Sequence, residues 1–373
     1  MLELGRVAQE RGFHVDVLAY DPYFQASIRS AGLGLVDLDV IRREIRPFWD
    51  ARGLTHLTRF LSRSGYTIVH THTTKPGLVG TLAARLANVP SVMHTVHLFP
   101  FHEETGRATT TAYVTVERLA ARWCDRLVTV GDFQREWALD KGIGNPEQVI
   151  SIPNGVADGR ITAARAGTDV RAELGIGDAF MVLSTGRLAR QKGLEHLIRA
   201  AALLRSELPA LRVVLAGDGP LRGELGRLVS DLGLDDVVQI LGFRADIGEL
   251  LTASDLVVLP SLWEGLSISL LEAMAAEKPV VTTSIASNRE VTNDGEAALL
   301  VPPKHPASLA AAIRTLAVDE TRRVQLARRG KEVQRERYTM QRMIDAYMSE
   351  YDALLENADS RPARSRLAVG QAQ

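Results

Sequence analysis

From Asp255 to Thr283 the chain reads DLVVLPSLWEGLSISLLEAMAAEKPVVTT. An unbroken apolar run is followed by a Gly-bearing loop, a helical stretch starting near Ser267, a tight turn and a second apolar run. Strands that are apolar on both faces must be covered on both faces, and a helix between two of them makes the pairing parallel. A chain that repeats this unit has few options besides an α/β fold with a doubly wound parallel sheet.

The unit does repeat. FMVLSTG, LRVVLAG, VVQILG and AALLVP alternate with helical stretches in the second half, and TIVHTHT, SVMHTVH, RLVTV and QVISIP do so in the first. HVDVLAY and GLVDLDV add two shorter strand readings near the start. A Gly- and charge-bearing bridge from Gly167 to Gly177 suits a domain boundary. At 373 residues, two domains each have enough chain for a core. The reading is therefore two Rossmann-like domains, 1–166 and 167–337, with the cleft between them as the expected ligand site. An amphipathic helix over 338–356 and a polar tail over 357–373 follow.

The bulk numbers close several routes. Hydrophobic content of 46 % with 24 % charged residues is that of a globular chain, and a net charge of −1 gives no general attraction to nucleic acid. No apolar run reaches the length of a membrane span, and the single Cys124 excludes a disulfide framework. The opening MLELGRVAQERGFHVDVLAY enters a helix pattern where such a domain ordinarily supplies a strand first. Either the first domain lacks that strand, or the natural start lies upstream.

Four groups of residues bear chemistry. Glu264 and Glu272 flank a loop whose amides at Gly265, Leu266 and Ser267 meet a helix N-terminus, where an anion is stabilised. The plain alternative is two acids near a helix start, one favourable to the helix dipole and one facing water. Arg187 and Lys192 follow a strand at its carboxyl side and could neutralise a diphosphate, or form a solvated basic loop. The glycines of AGDGP permit a tight turn and say little else.

Histidines crowd one region: His70, His72, His94, His97 and His102, with Glu103 and Glu104 close by. Imidazoles beside carboxylates suit a transition metal, so a metal-dependent hydrolase is a competing reading. Thr73, Thr74 and Lys75 instead precede a helix start able to hold an acceptor phosphate or hydroxyls. Asp37 and Asp39 form a DxD pair of little weight. Arg42, Arg43 and Arg46 beside Pro47, Phe48 and Trp49 are either a membrane-surface patch or a solvated loop.

In order and spacing, GRL with the following KG, LAGDGP, ILGF, DLVVLPS, EGLSISLLE and LEAMAAEKPVV make one pattern, with IPNGV closing the first half. From Leu4 to Leu355 the sequence resembles the GT-B-fold retaining glycosyltransferases of family 4, the glycosyl transferases group 1. EGLSISLLE matches that family's E-x7-E pattern through Glu264 and Glu272.

The resemblance implies transfer of a sugar from a nucleoside-diphosphate donor, UDP-sugar favoured, to a saccharide or lipid-linked acceptor, with no metal required. Arg187 and Lys192 would hold the diphosphate, Glu272 the ribose, and Phe243 would lie at the nucleobase. Glu264 and the amides of Gly265 to Ser267 would stand near the transferred sugar. His97 matches the family's catalytic-site histidine, with His94 as rival. The resemblance also implies a cytoplasmic protein in polysaccharide or glycolipid biosynthesis, with peripheral membrane contact as an option and no nucleic-acid partner. The helix after Tyr338 resembles the family's C-terminal helix that returns to the first domain. Two departures stand out: the absent first strand with its Gly-rich loop, and Leu98 where relatives commonly carry Gly. The first leaves an inactive or defective relative as the alternative.

Overall fold

The computed structural model describes residues 1–40, 47–101, 105–157 and 170–360. The chain divides into two compact units. One holds Met1–Val130, Gln134–Ile152 and the residues from Ile344 on; the other holds Gly131–Phe133 and Pro153–Met343.

The first unit runs α1 (Leu2–Glu10), β1 (Asp16–Val17), α2 (Pro22–Ser30), β2 (Gly34–Leu35), α3 (Pro47–Ser64), β3 (Ile68–His72), α4 (Thr74–Leu86), β4 (Ser91–Val96), α5 (Arg107–Ala121), β5 (Arg126–Thr129), α6 (Asp132–Asp140) and β6 (Val149–Ser151). Strands β3-β4-β5-β6 form a parallel sheet in that order. Every residue of β4 is buried, which is why SVMHTV carries no face-to-face polar alternation. Val92, Val96, Leu127 and Val149 build the core with Ala83 and Ala84, and Cys124 packs there as a small buried residue. Burial pushes its thiol up to about 12.

The strand readings near the start come out shorter than the apolar runs suggest. HVDVLAY and GLVDLDV contribute two paired residues each, in a separate parallel pair β1-β2. The reason lies in the hydrogen bonds. Gly34 and Val36 donate to Val15 and Val17, so Asp16 and Leu18 turn their backbone groups the other way. On β3, Thr67 accepts from Ser91 and Thr73 donates to Thr95, so Ile68, His70 and His72 turn theirs away from β4. Among the described residues neither edge pairs with a further strand. Leu4, Ala8, Val17, Leu57, Phe60 and Val69 contribute to the lining of a cavity of about 530 Å³ flanked by both.

The second unit runs α7 (Val170–Glu173), β7 (Phe180–Thr185), a 3₁₀ turn (Arg190–Lys192), α8 (Leu194–Leu204), β8 (Leu211–Ala216), α9 (Arg222–Asp231), β9 (Val238–Gly242), α10 (Ile247–Ala253), β10 (Leu256–Leu259), α11 (Ile268–Ala275), β11 (Val280–Thr283), α12 (Ala286–Val291), β12 (Leu299–Val301), α13 (Pro306–Val318) and α14 (Glu320–Arg337). Its parallel sheet has the order β12-β11-β10-β7-β8-β9. The chain builds outward from β7 in one direction, then restarts at β10 and builds in the other. The crevice at the carboxyl ends of β7 and β10 is thus a topological switch point, where open α/β sheets bind ligands. A last helix, α15 (Met340–Ser360), brings Tyr347, Tyr351 and Leu354 to the first unit, where Ser91 Oγ donates to Leu354 O.

Candidate active site

At the switch point, the loop after β7 carries Arg187, Gln191 and Lys192, and the loop after β10 carries Ser261 and Glu264. Close backbone packing fixes the two loops together. Leu262 donates its amide to Gln191 O at 2.7 Å. Gly193 takes φ +57°, and a Cβ there would lie 2.3 Å from Pro260 O, so no other residue fits that approach. The glycines of AGDGP have a similar purpose: Cβ atoms at Gly217 and Gly219 would meet Gly186 O at 1.8 Å and Leu188 O at 2.4 Å. They let the neighbouring turn close on the Arg187 loop.

Glu264 is the hub. Its Oε1 accepts from Lys192 Nζ at 2.5 Å and Ser261 Oγ at 2.8 Å, and its Oε2 from Gln191 Nε2 at 2.9 Å. The carboxylate side chain is 7 % exposed, and burial of that kind demands such partners. Gln191 and Ser261 are the residues that sequence reasoning missed. Their signal is weak, a serine three positions before the acid and an amide beside the lysine. Arg187 stands in contrast: exposed, with no side-chain partner among the described residues.

The loop then enters α11. Ser267 is its N-cap and accepts from Leu270 N at 3.4 Å. Gly265, Leu266 and Ser267 are buried, and their amides find no acceptor among the described residues. They stand at the positive end of the helix. Glu272 lies on α11, half-buried and engaged by a neighbour. Phe243 follows β9 and is 79 % exposed, an unusual state for a large aromatic ring.

In the first unit the histidines separate by face. His94 is fully buried on one face of the sheet, its Nδ1 2.9 Å from Thr71 Oγ1 and its ring against Gly77, where a Cβ would clash at 2.2 Å. His70 and His72 share the other face with Thr95 and His97. His70 Nδ1 meets Tyr351 OH at 2.7 Å and its Nε2 meets Thr95 Oγ1 at 2.8 Å. His72 Nδ1 lies 3.1 Å from His97 Nε2. His97 follows the end of β4 and is only partly buried. Burial holds His70 down to about 3, His94 to about 4, and His72 and His97 below the ordinary imidazole value, which favours the neutral form of each ring.

The metal reading finds no support in this arrangement. The rings stack and hydrogen-bond to one another and to hydroxyls, and no group of three or more His, Cys, Asp or Glu suited to a metal occurs among the described residues. His102, Glu103 and Glu104 lie outside the described residues, as do Arg42, Arg43 and Arg46 of the basic-aromatic patch. Phe48 is 92 % exposed at the start of α3. Lys75 is paired with Asp50 at 2.8 Å, and Asp37 and Asp39 are exposed beyond β2. No helix among the described residues is long and apolar enough to cross a membrane.

Comparison with known proteins identifies the family and the fold. Residues 168–333 match the family described as Glycosyl transferases group 1, and residues 1–155 match the Glycosyl transferase 4-like domain. The chain is 34 % identical over 251 residues to the UDP-Gal:alpha-D-GlcNAc-diphosphoundecaprenol alpha-1,3-galactosyltransferase of Escherichia coli, covering 66 % of this chain and 65 % of that enzyme. It is 33 % identical over 302 residues to the D-inositol 3-phosphate glycosyltransferase of Kineococcus radiotolerans, covering 74 % of this chain and 69 % of the relative. Its fold matches the crystal structure of HepE from Anabaena in complex with UDP-glucose, with a TM-score of 0.81 at 22 % identity over 94 % of both chains. The chain belongs to the glycosyl transferases group 1, the GT-B-fold glycosyltransferases of family 4.

Proposed function

We propose that this glycosyltransferase moves a sugar from a nucleoside-diphosphate donor, UDP-sugar favoured, to a saccharide or lipid-linked acceptor hydroxyl with retention at the anomeric carbon. The observation that carries the reading is the pairing of Arg187 and a Glu264-held Lys192 with the amides of Gly265 to Ser267 at one switch point, Arg187 and those amides being without partners among the described residues. The barrier in such a transfer is departure of the diphosphate from a carbon that gains positive character. Fixed positive groups aimed at the leaving oxygens lower it without reorganising during the reaction. Arg187 would take phosphate oxygens with its fork, and Lys192 would share its charge between Glu264 and the diphosphate.

In this reading Glu272 holds the ribose hydroxyls, Phe243 lies at the nucleobase, and Glu264 and His97 meet the transferred sugar. Cations and amides can supply the charge stabilisation, so no metal is required. The reading places the enzyme in polysaccharide or glycolipid assembly, with contact at the inner face of a membrane; the lipid-linked acceptor named for the Escherichia coli relative supports it.

A panel of UDP-, GDP- and ADP-sugars, assayed for donor hydrolysis and for transfer with EDTA present, tests this. Turnover of a UDP-sugar that survives EDTA is expected. Absence of turnover with every donor, with or without divalent metal, would favour the defective relative.

A further inference from the structure

His72 is a half-buried residue that the proposed reaction does not use directly, and its surroundings restrict it unusually. Its ring lies between two others, 4.1 Å from the His70 centroid and 5.3 Å from the His97 centroid, the latter stacked at 23°. His70 in turn has both nitrogens committed, to Tyr351 and to Thr95, and Thr95 Oγ1 is 3.2 Å from Tyr347 OH. The stack is therefore fixed from the interior outward, and His97 is its last ring.

The protons can be placed by elimination. His72 Nε2 is buried without a partner among the described residues, while its Nδ1 faces His97 Nε2 at 3.1 Å. A neutral imidazole carries one N–H. Were that proton on Nε2, a buried donor would have no acceptor, the rarer of the two kinds of orphan. With the proton on Nδ1, His72 donates to His97 Nε2 and leaves only a lone pair unpartnered. His97 then accepts at Nε2 and must carry its own proton on Nδ1, which makes no hydrogen bond among the described residues.

We propose that His72 is a positioning residue that fixes His97 as the Nδ1–H tautomer, so that His97 presents a hydrogen-bond donor, and not a base, to an oxygen of the transferred sugar. This rests on the placement of His97 at that sugar. A partner that fixes the tautomer and angle of a working histidine is a familiar source of rate, because the orientation is settled before substrate arrives.

The test uses the whole protein labelled with ¹⁵N-histidine, the UDP-sugar with the highest turnover, and His72→Phe, His72→Asn and His97→Ala. Phenylalanine keeps a stacked ring without the donor; asparagine places an amide N–H near the position of ring Nδ1. The wild-type spectrum should show His97 protonated at Nδ1, and His72→Phe should mix the tautomers. His72→Phe should lower kcat by about 10- to 100-fold with donor KM within about threefold, and His72→Asn should recover most of the loss. Melting temperature and the remaining histidine signals of both variants report whether the sheet is intact. Full kcat in a folded His72→Phe, or wild-type His97 protonated at Nε2, would overturn the proposal. Full turnover in His97→Ala would overturn it at its premise, and with it the assigned role of His97.

Discussion

Lys192 Nζ and Glu264 Oε1 are 2.5 Å apart, with side-chain exposures of 18 % and 7 %. Arg187, five positions earlier on the same loop, has no such partner among the described residues. Two cations assigned to one diphosphate are thus held in opposite ways, and they should fail in opposite ways. Lys192→Ala strands a nearly buried carboxylate and should cost about 2–4 kcal/mol of stability as well as donor turnover. Arg187→Ala should lose turnover by about tenfold or more while stability changes by less than about 0.5 kcal/mol. Urea unfolding beside donor kinetics checks both. Equal stability losses would mean that the pair is not built as described.

Stability should depend on pH from two sides. His70 at about 3 and His94 at about 4 lie below the imidazole value of 6.5. Below pH 6.5 the unfolded chain therefore binds protons that the folded chain refuses. Their contribution is complete above 6.5 and is lost as pH falls toward 3. Glu117, a buried acid of α5 hydrogen-bonded to Thr74, is raised by burial from 4.5 to about 7. Its sign is reversed: the folded state keeps the proton longer, so the cost is absent below 4.5 and accumulates as pH rises through 7. Glu117→Gln should gain roughly 3 kcal/mol at about pH 8 and almost nothing near pH 4. A gain of equal size at both pH values would contradict the assignment.

Backbone amides of β3 should exchange with solvent in alternation. Val69 and Thr71 face β4, whereas Ile68, His70 and His72 face the cavity. Amide exchange should be on the order of 10²-fold faster at the second set. Uniform protection along Ile68–His72 would show that this edge is paired.

Thr73 joins β3 to α4 with φ +65° and ψ 164°, a conformation costly for a β-branched residue. Thr73→Gly should raise stability by about 1 kcal/mol in urea unfolding. A loss of stability would mean that its side chain repays the strain.

The second unit was almost wholly legible, because β7, β8, β10 and β11 are buried on both faces and read as unbroken apolar runs. The first was legible only in β3 to β6. An apolar run such as HVDVLAY predicts a strand by composition, yet the paired length depends on neighbours that the run itself does not encode. That His70 and His72 share a face follows from their spacing of two on one strand. Tyr351, the hydroxyl partner of His70, and Tyr347, which meets the Thr95 hydroxyl beside it, lie more than two hundred residues away in sequence, and no local spacing announces them. Glu264 could be singled out as a site residue, but its three hydrogen bonds depend on how two loops meet, which only the sheet order decides.

The most direct measurement is a crystal structure of the protein with UDP bound. The diphosphate is expected against Arg187, Lys192 and the amides of Gly265, Leu266 and Ser267, with the ribose hydroxyls on Glu272 and the base at Phe243. A nucleotide bound elsewhere, or a diphosphate with Arg187 and Lys192 turned away from it, would contradict the account.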